Sequence, residues 1–135
     1  MARVRRERWR RSMAHILVID DDPRVLFSLS RVLRNAGHQV TGAANGNEGL
    51  RVLKGTTPDL IITDIVMPEK EGLELIQELR LQRIAVPVIA ISGGGRIEGA
   101  RYLELAQLLG ADLTLAKPVT NAELLTAVTR ILGPE

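Results

Sequence analysis

Apolar positions along the chain fall into two patterns that take turns. Short continuous runs, HILVID at residues 15–20, Leu60 to Asp64, Val86 to Ile91 and Leu113 to Ala116, alternate with stretches of three- and four-residue apolar spacing. The first pattern is that of a strand buried on both faces, and the second is that of an amphipathic helix. Pro23 suits a first helical turn, Val25, Leu26, Leu29, Val32 and Leu33 follow at helical spacing, and Gly37 fits the stop. Gln39 to Ala44 reads as a weaker strand. Asn45 to Lys54 reads as a short helix with Leu50 and Leu53 inward, broken by Gly55 and Pro58. A loop containing Met67-Pro68 leads to a helix with Leu73, Ile76 and Leu79 on one face. The fourth strand closes on Ser92 and three glycines, and Ile97 to Leu109 reads as the next helix. Thr120-Asn121-Ala122-Glu123 is a capping box for the last helix, which carries Leu124, Leu125, Val128, Ile131 and Leu132 up to Gly133-Pro134.

Five strand–helix units in 135 residues predict one α/β domain, a five-stranded parallel sheet doubly wound with helices on both faces. Charge divides the chain in two. The formal net charge is +2, yet residues 1–12 carry six arginines against Glu7, leaving 12 basic and 15 acidic residues in the other 123. The expected organisation is a basic, disordered tail at 1–12 and a mildly acidic domain at 13–135. Met13 stands directly before the first strand, as an initiating residue would. An arginine run of this density can also bind phosphates by counterion release, but a solvated tail is the simpler reading.

Composition removes several chemistries. Without cysteine there are no thiolate nucleophiles, disulfides or Cys-ligated metals, and His15 and His38 do not form a metal-binding pair. The longest aliphatic run, Ile84 to Ile91, is eight residues even with Pro87 included, far short of the roughly 20 a membrane span needs. Only Trp9, Phe27 and Tyr102 are aromatic, too few for stacking on single-stranded nucleic acid.

In an open parallel sheet the ligand site lies beyond the carboxyl ends of the strands. Polar residues collect there: Asp20, Asp21 and Asp22 after the first strand, Asp64 after the third, Ser92 after the fourth and Lys117 after the fifth. One acid at a strand end usually caps a helix or makes a turn, but four strand ends converging on acids, a hydroxyl and an amine point to one site. Carboxylates a few ångströms apart repel by about 4 kcal/mol per pair at an effective dielectric of ~20, so a cation is required between them. Hard oxygen ligands without His or Cys select Mg2+, or Mn2+ in its place. Asp20, Asp21 and Asp64 balance Mg2+ plus Lys117, and Ser92 could donate to a transferring phosphoryl oxygen.

ILVIDDDP, LIITDIVMPEKEG, VIAIS and LAKP, in this order and spacing, resemble the receiver domain of bacterial two-component response regulators, over roughly residues 14–132. The resemblance implies the flavodoxin-like strand order 2-1-3-4-5 of chemotaxis receivers. It implies that Asp64 is the phosphoacceptor, that Asp20 and Asp21 hold Mg2+, and that Val66 adds its backbone carbonyl. Ser92 and Lys117 would contact the phosphoryl group, the Lys117–Pro118 bond would be cis, and Asp22 would cap a helix. The protein would then be a cytoplasmic signalling protein rather than an enzyme, assisting transfer only to its own Asp64. Its partners would be a histidine kinase or histidine phosphotransfer protein and a downstream protein target, with no DNA-binding domain in the chain. The alternatives are a phosphorylation-independent adaptor and, more remotely, an Asp-dependent phosphatase of haloacid dehalogenase type. The latter uses D-x-D at this strand end but needs Thr or Val two residues on, where Arg24 stands.

Two departures from the family change expectations. Thr114 and Val119 replace usual aromatics, so the two-residue switch built on a strand-five aromatic has no counterpart here. Gly93, Gly94 and Gly95 open a loop before the fourth helix, and this loop and helix together are expected to carry the response, with Tyr102 as a surface reporter. Structures with and without beryllofluoride should differ across residues 92–104, and identical backbones would contradict this. Val66, two after Asp64, and Gly94, two after Ser92, offer no polar side chain to position an attacking water. The acyl phosphate should therefore persist for minutes or longer in a phosphate-release assay, and a half-life of seconds would be incompatible with this reading.

Overall fold

Each apolar run becomes a strand whose side chains alternate between two buried layers. The computed structural model describes residues 14–65, 72–92 and 97–133, with no account of the side chains of 97–100, 102 and 103. The basic segment 1–12 and the Gly93–Gly95 loop therefore lie outside the described residues, as does the Tyr102 side chain. The elements are β1 (His15–Ile19), α1 (Pro23–Asn35), β2 (Gln39–Ala43), α2 (Gly46–Gly55), β3 (Leu60–Asp64), α3 (Gly72–Leu81), β4 (Val88–Ser92), α4 (Ile97–Leu109), β5 (Leu113–Ala116) and α5 (Asn121–Leu132). All neighbouring strands are parallel, in the order β2-β1-β3-β4-β5. This is the doubly wound arrangement expected from the sequence.

Strand alternation sorts the core. Ile16, Val18, Leu60, Ile62, Ile89 and Ile91 face α1 and α5, where Leu29, Leu33, Leu124 and Val128 meet them. Leu17, Ile19, Ile61, Val88 and Ala90 face the opposite layer, against Leu75, Ile76 and Leu79 of α3 and Ala106 of α4. Leu50 and Leu53 of α2 pack on that second layer as their spacing requires. Burial on both faces explains why these strands read as continuous apolar runs rather than alternating ones.

Helix starts follow local chemistry. Asp22 caps α1, its side chain accepting from the Arg24 N–H at 2.9 Å. At α2 both sides of the box find backbone donors: Asn45 Oδ1 accepts from the Glu48 N–H, and Glu48 Oε2 reaches past the cap to accept from the Ala44 N–H. The box read at α5 is only half of that kind. Thr120 Oγ1 accepts from the Glu123 N–H, but the Glu123 carboxylate takes the Thr120 hydroxyl rather than a backbone donor.

The fourth strand begins two residues later than its apolar run. Pro87 has no N–H for the ladder, and the Val86 carbonyl is taken by Arg80 Nη1 at 3.0 Å. Pairing starts at Val88, whose N–H donates to Asp112 Oδ2 at 2.8 Å, and extends to Ser92, opposite Ala116. Arg80 holds this whole amino-terminal rim. Its guanidinium also donates to the Ile84 carbonyl at 2.7 Å and to the Gly110 carbonyl at 2.9 Å. Gly110 adopts φ +117°, and a β-carbon there would press on Arg80 Nε at 2.9 Å, so both the backbone and the space call for glycine. The Arg80–Asp112 ion pair is partly exposed and contributes little by itself. The carbonyl bonds matter more, because their loss strands half-buried acceptors. Arg80→Ala should cost about 2–4 kcal/mol in urea unfolding, and Arg80→Lys should recover less than half of it. A loss below about 0.5 kcal/mol would show that the clamp is dispensable.

Candidate functional site

Register brings the acids together before any side-chain contact is considered. Ile19 of β1 pairs with Thr63 of β3, so one further step sets Asp20 beside Asp64. Both continue the rows of Ile16 and Val18 and of Leu60 and Ile62, and thus emerge on the α1/α5 side of the sheet. Asp20 is 1% exposed and Asp64 6%, values that ionisable groups tolerate only with partners. Asp21 is exposed, and one carboxylate oxygen from each of Asp20, Asp21 and Asp64 lies within 4.8 Å of the others.

Lys117 reaches across from the end of β5. Its Nζ stands 3.4 Å from Asp20 Oδ2 and 3.4 Å from Asp64 Oδ2. The Lys117–Pro118 bond is cis, as expected. The lysine is aimed by its backbone, since the Lys117 N–H donates to the Ser92 carbonyl at 2.8 Å. The same contact fixes buried Ser92 one strand from Asp64, through the pairing of Asp64 with Ile91. Asp20, Asp21, Asp64, Ser92 and Lys117 therefore share one end of the sheet. Val66 lies outside the described residues.

Electrostatics within the group is unbalanced. Burial drives the Asp20 carboxyl above its ordinary range, and the Asp21 charge adds to this; the Asp22 N–H, which donates to Asp20 Oδ1 at 2.9 Å, and Lys117 oppose it. Burial also works against the Lys117 ammonium, but the Asp64 and Asp20 carboxylates outweigh it and hold the group above the ordinary lysine range. One ammonium thus faces three carboxylates. A donor set of clustered oxygens with excess negative charge and no His or Cys fits a hard divalent cation.

Asp22 does not join the cluster, because its side chain is spent capping α1. The D-x-D pair of a haloacid dehalogenase-type site would need it, and Arg24, two residues further, turns its side chain to solvent. A residue the strand-end reasoning missed is Gly72. Its N–H donates to the Ile65 carbonyl at 2.7 Å, and a β-carbon would overlap the Asp64 carbonyl oxygen and approach Ile65 Cα to 2.7 Å. The signal was present in the sequence as the glycine opening α3, eight residues after Asp64.

The two residues that replace family aromatics can be placed in the structure. Val119, partly buried, lines a groove of about 570 Å³ with Val25, Leu29, Ile91 and Lys117. Thr114, half-buried on β5, lines a groove of about 360 Å³ together with Ala122, Thr126 and Arg130 of α5.

Residues 16–129 match the model of the response regulator receiver domain, and the chain belongs to that family. It is 32% identical over 127 residues to Protein PilH of Pseudomonas aeruginosa, covering 90% of this chain and 99% of that protein. It is 40% identical over 121 residues to the transcriptional regulatory protein PrrA of Mycobacterium leprae, covering 90% of this chain. The chain spans 51% of PrrA and 25% of the transcriptional regulatory protein GlrR of Escherichia coli, to which it is 37% identical over 115 residues. Among solved structures, a receiver domain from Clostridium thermocellum superposes with TM-score 0.81 at 32% identity, covering 89% of this chain and 94% of that one. Chemotaxis response regulator CheY4 of Vibrio cholerae gives TM-score 0.78 at 29% identity, covering 88% and 98%. Two-component signalling is thus the class to which the fold belongs. Among the described residues, no helix is long and apolar enough to cross a membrane.

Proposed function

We propose that the receiver at residues 13–135 accepts a phosphoryl group on Asp64 from a phosphohistidine and passes its state on by protein contact. The observation that carries this reading is Lys117 Nζ at 3.4 Å from both Asp20 Oδ2 and Asp64 Oδ2, with Asp21 completing the carboxylate cluster. Asp20, Asp21 and Asp64 would hold Mg2+, or Mn2+, with the Val66 carbonyl as a further ligand. When bound, the ion neutralises charge on the transferring oxygens. Attack by an Asp64 carboxylate oxygen forms the new P–O bond as the P–N bond to the donor imidazole breaks, and the electron pair leaves with the imidazole. Lys117 then exchanges part of its contact with Asp64 for a phosphoryl oxygen, and the Ser92 hydroxyl donates to another. Asp64 is only 6% exposed, which limits the access of bulk water to the acceptor carboxylate.

A histidine kinase or histidine phosphotransfer protein supplies the phosphoryl group in this reading, and the setting is the cytoplasm. Incubation with acetyl phosphate and Mg2+ should add one phosphoryl group to the mass of the protein. The gain should disappear in Asp64→Asn and in excess chelator. It should persist in Asp22→Asn, because Asn caps a helix as well as Asp does. A gain retained in Asp64→Asn would place the acceptor elsewhere. No gain in the unsubstituted protein would favour a phosphorylation-independent adaptor.

A further inference from the structure

Among the described residues, five polar side chains are buried: Asp20, Ser30, Thr63, Asp64 and Ser92. Three of them form the site, and Thr63 stands directly before the acceptor. It is 0% exposed within the otherwise aliphatic sequence Leu60-Ile61-Ile62. Position 63 has the parity of Ile61 and Ile65, which both face the α3 layer, so a valine or isoleucine would suit it. A hydroxyl there is costly unless it is hydrogen-bonded. It is bonded, and its partner is the main chain of the acceptor: Thr63 Oγ1 donates to the Asp64 carbonyl at 2.8 Å.

That bond completes a set of restraints on one peptide unit. The Asp64–Ile65 peptide is held at its carbonyl by Thr63 and at its N–H by the Ile91 carbonyl, 2.9 Å away. The bare α-carbon of Gly72 walls the same carbonyl, and the Gly72 N–H ties down the Ile65 carbonyl. β3 ends at Asp64, and the Ile65 N–H bond to Ile91 carries its ladder to β4 one residue further. Rotation of this peptide would swing the Asp64 Cα–Cβ bond and carry the carboxylate away from Lys117.

We propose that Thr63 is a positioning residue for phosphoryl transfer, its hydroxyl fixing the Asp64 carbonyl and through it the direction of the acceptor carboxylate. This rests on Asp64 being the phosphoacceptor. The hydroxyl does not touch the phosphoryl group, and its effect belongs in the rate at saturation rather than in donor affinity.

The test compares Thr63→Val, which removes the hydroxyl at nearly constant shape, with Thr63→Ser, which keeps it. Phosphorylation by acetyl phosphate is followed at saturating Mg2+ and donor, beside thermal unfolding and hydrogen exchange of the Ile65 amide. Thr63→Val should unfold within a few degrees of the unsubstituted protein, yet phosphorylate about tenfold more slowly at saturation. Its Ile65 amide should exchange faster relative to that of Ile61. Thr63→Ser should return both readouts to within about twofold. An unchanged rate in Thr63→Val, or a lost rate that Thr63→Ser fails to restore, would overturn the proposal. If the unsubstituted protein takes no phosphoryl group, the acceptor reading fails and this inference falls with it. If it does and Thr63→Val matches it, only the role of Thr63 is wrong.

Discussion

Three carboxylates forced into one small volume govern the rest of this molecule. Asp20 and Asp64 are buried side by side because β1 and β3 are in register, and neither can leave without breaking the sheet. Like charges this close raise one another's energy, and burial removes the water that would screen them. Lys117 answers part of that charge, and its arrival from β5 requires the Ser92 carbonyl that aims it. The order β2-β1-β3-β4-β5 sets β3 centrally, with the strands bearing Asp20 and Ser92 directly on either side of it. Chemistry and topology are therefore a single constraint: the core supports an assembly that its own charges oppose.

Much of this was legible in the sequence. Fully buried strands leave continuous apolar runs, and polar residues that end such runs stand out from the aliphatic side chains before them. Asp20, Asp64, Ser92 and Lys117 were found in that way, and the structure sets all four at one end of the sheet. Asp22 was set apart from Asp20 and Asp21 only by the family resemblance, and the structure has it capping α1. The register that sets Asp20 against Asp64 was not readable, since parallel pairing leaves no local mark.

The misreadings share a cause. Val86 joined the fourth strand on hydropathy, although its carbonyl belongs to Arg80, a residue six positions earlier whose role is visible only in three dimensions. Thr63 lay unremarked inside the third apolar run, because a hydroxyl's target cannot be read from composition. Gly72 was not singled out, because the nearby backbone that forbids a side chain there comes from another element. Each of these depends on the position of a main-chain carbonyl, a group that every residue carries and no sequence pattern reports.

That same anonymity gives the Arg80 clamp a distinctive mutational signature. Most of its bonds end on main-chain oxygens, at Ile84, Val86 and Gly110, so the side chains in those turns are irrelevant to it. The turns can drift in sequence while the clamp persists, provided the arginine and the left-handed glycine remain. A rim secured in this way tolerates change at most of its positions and almost none at two.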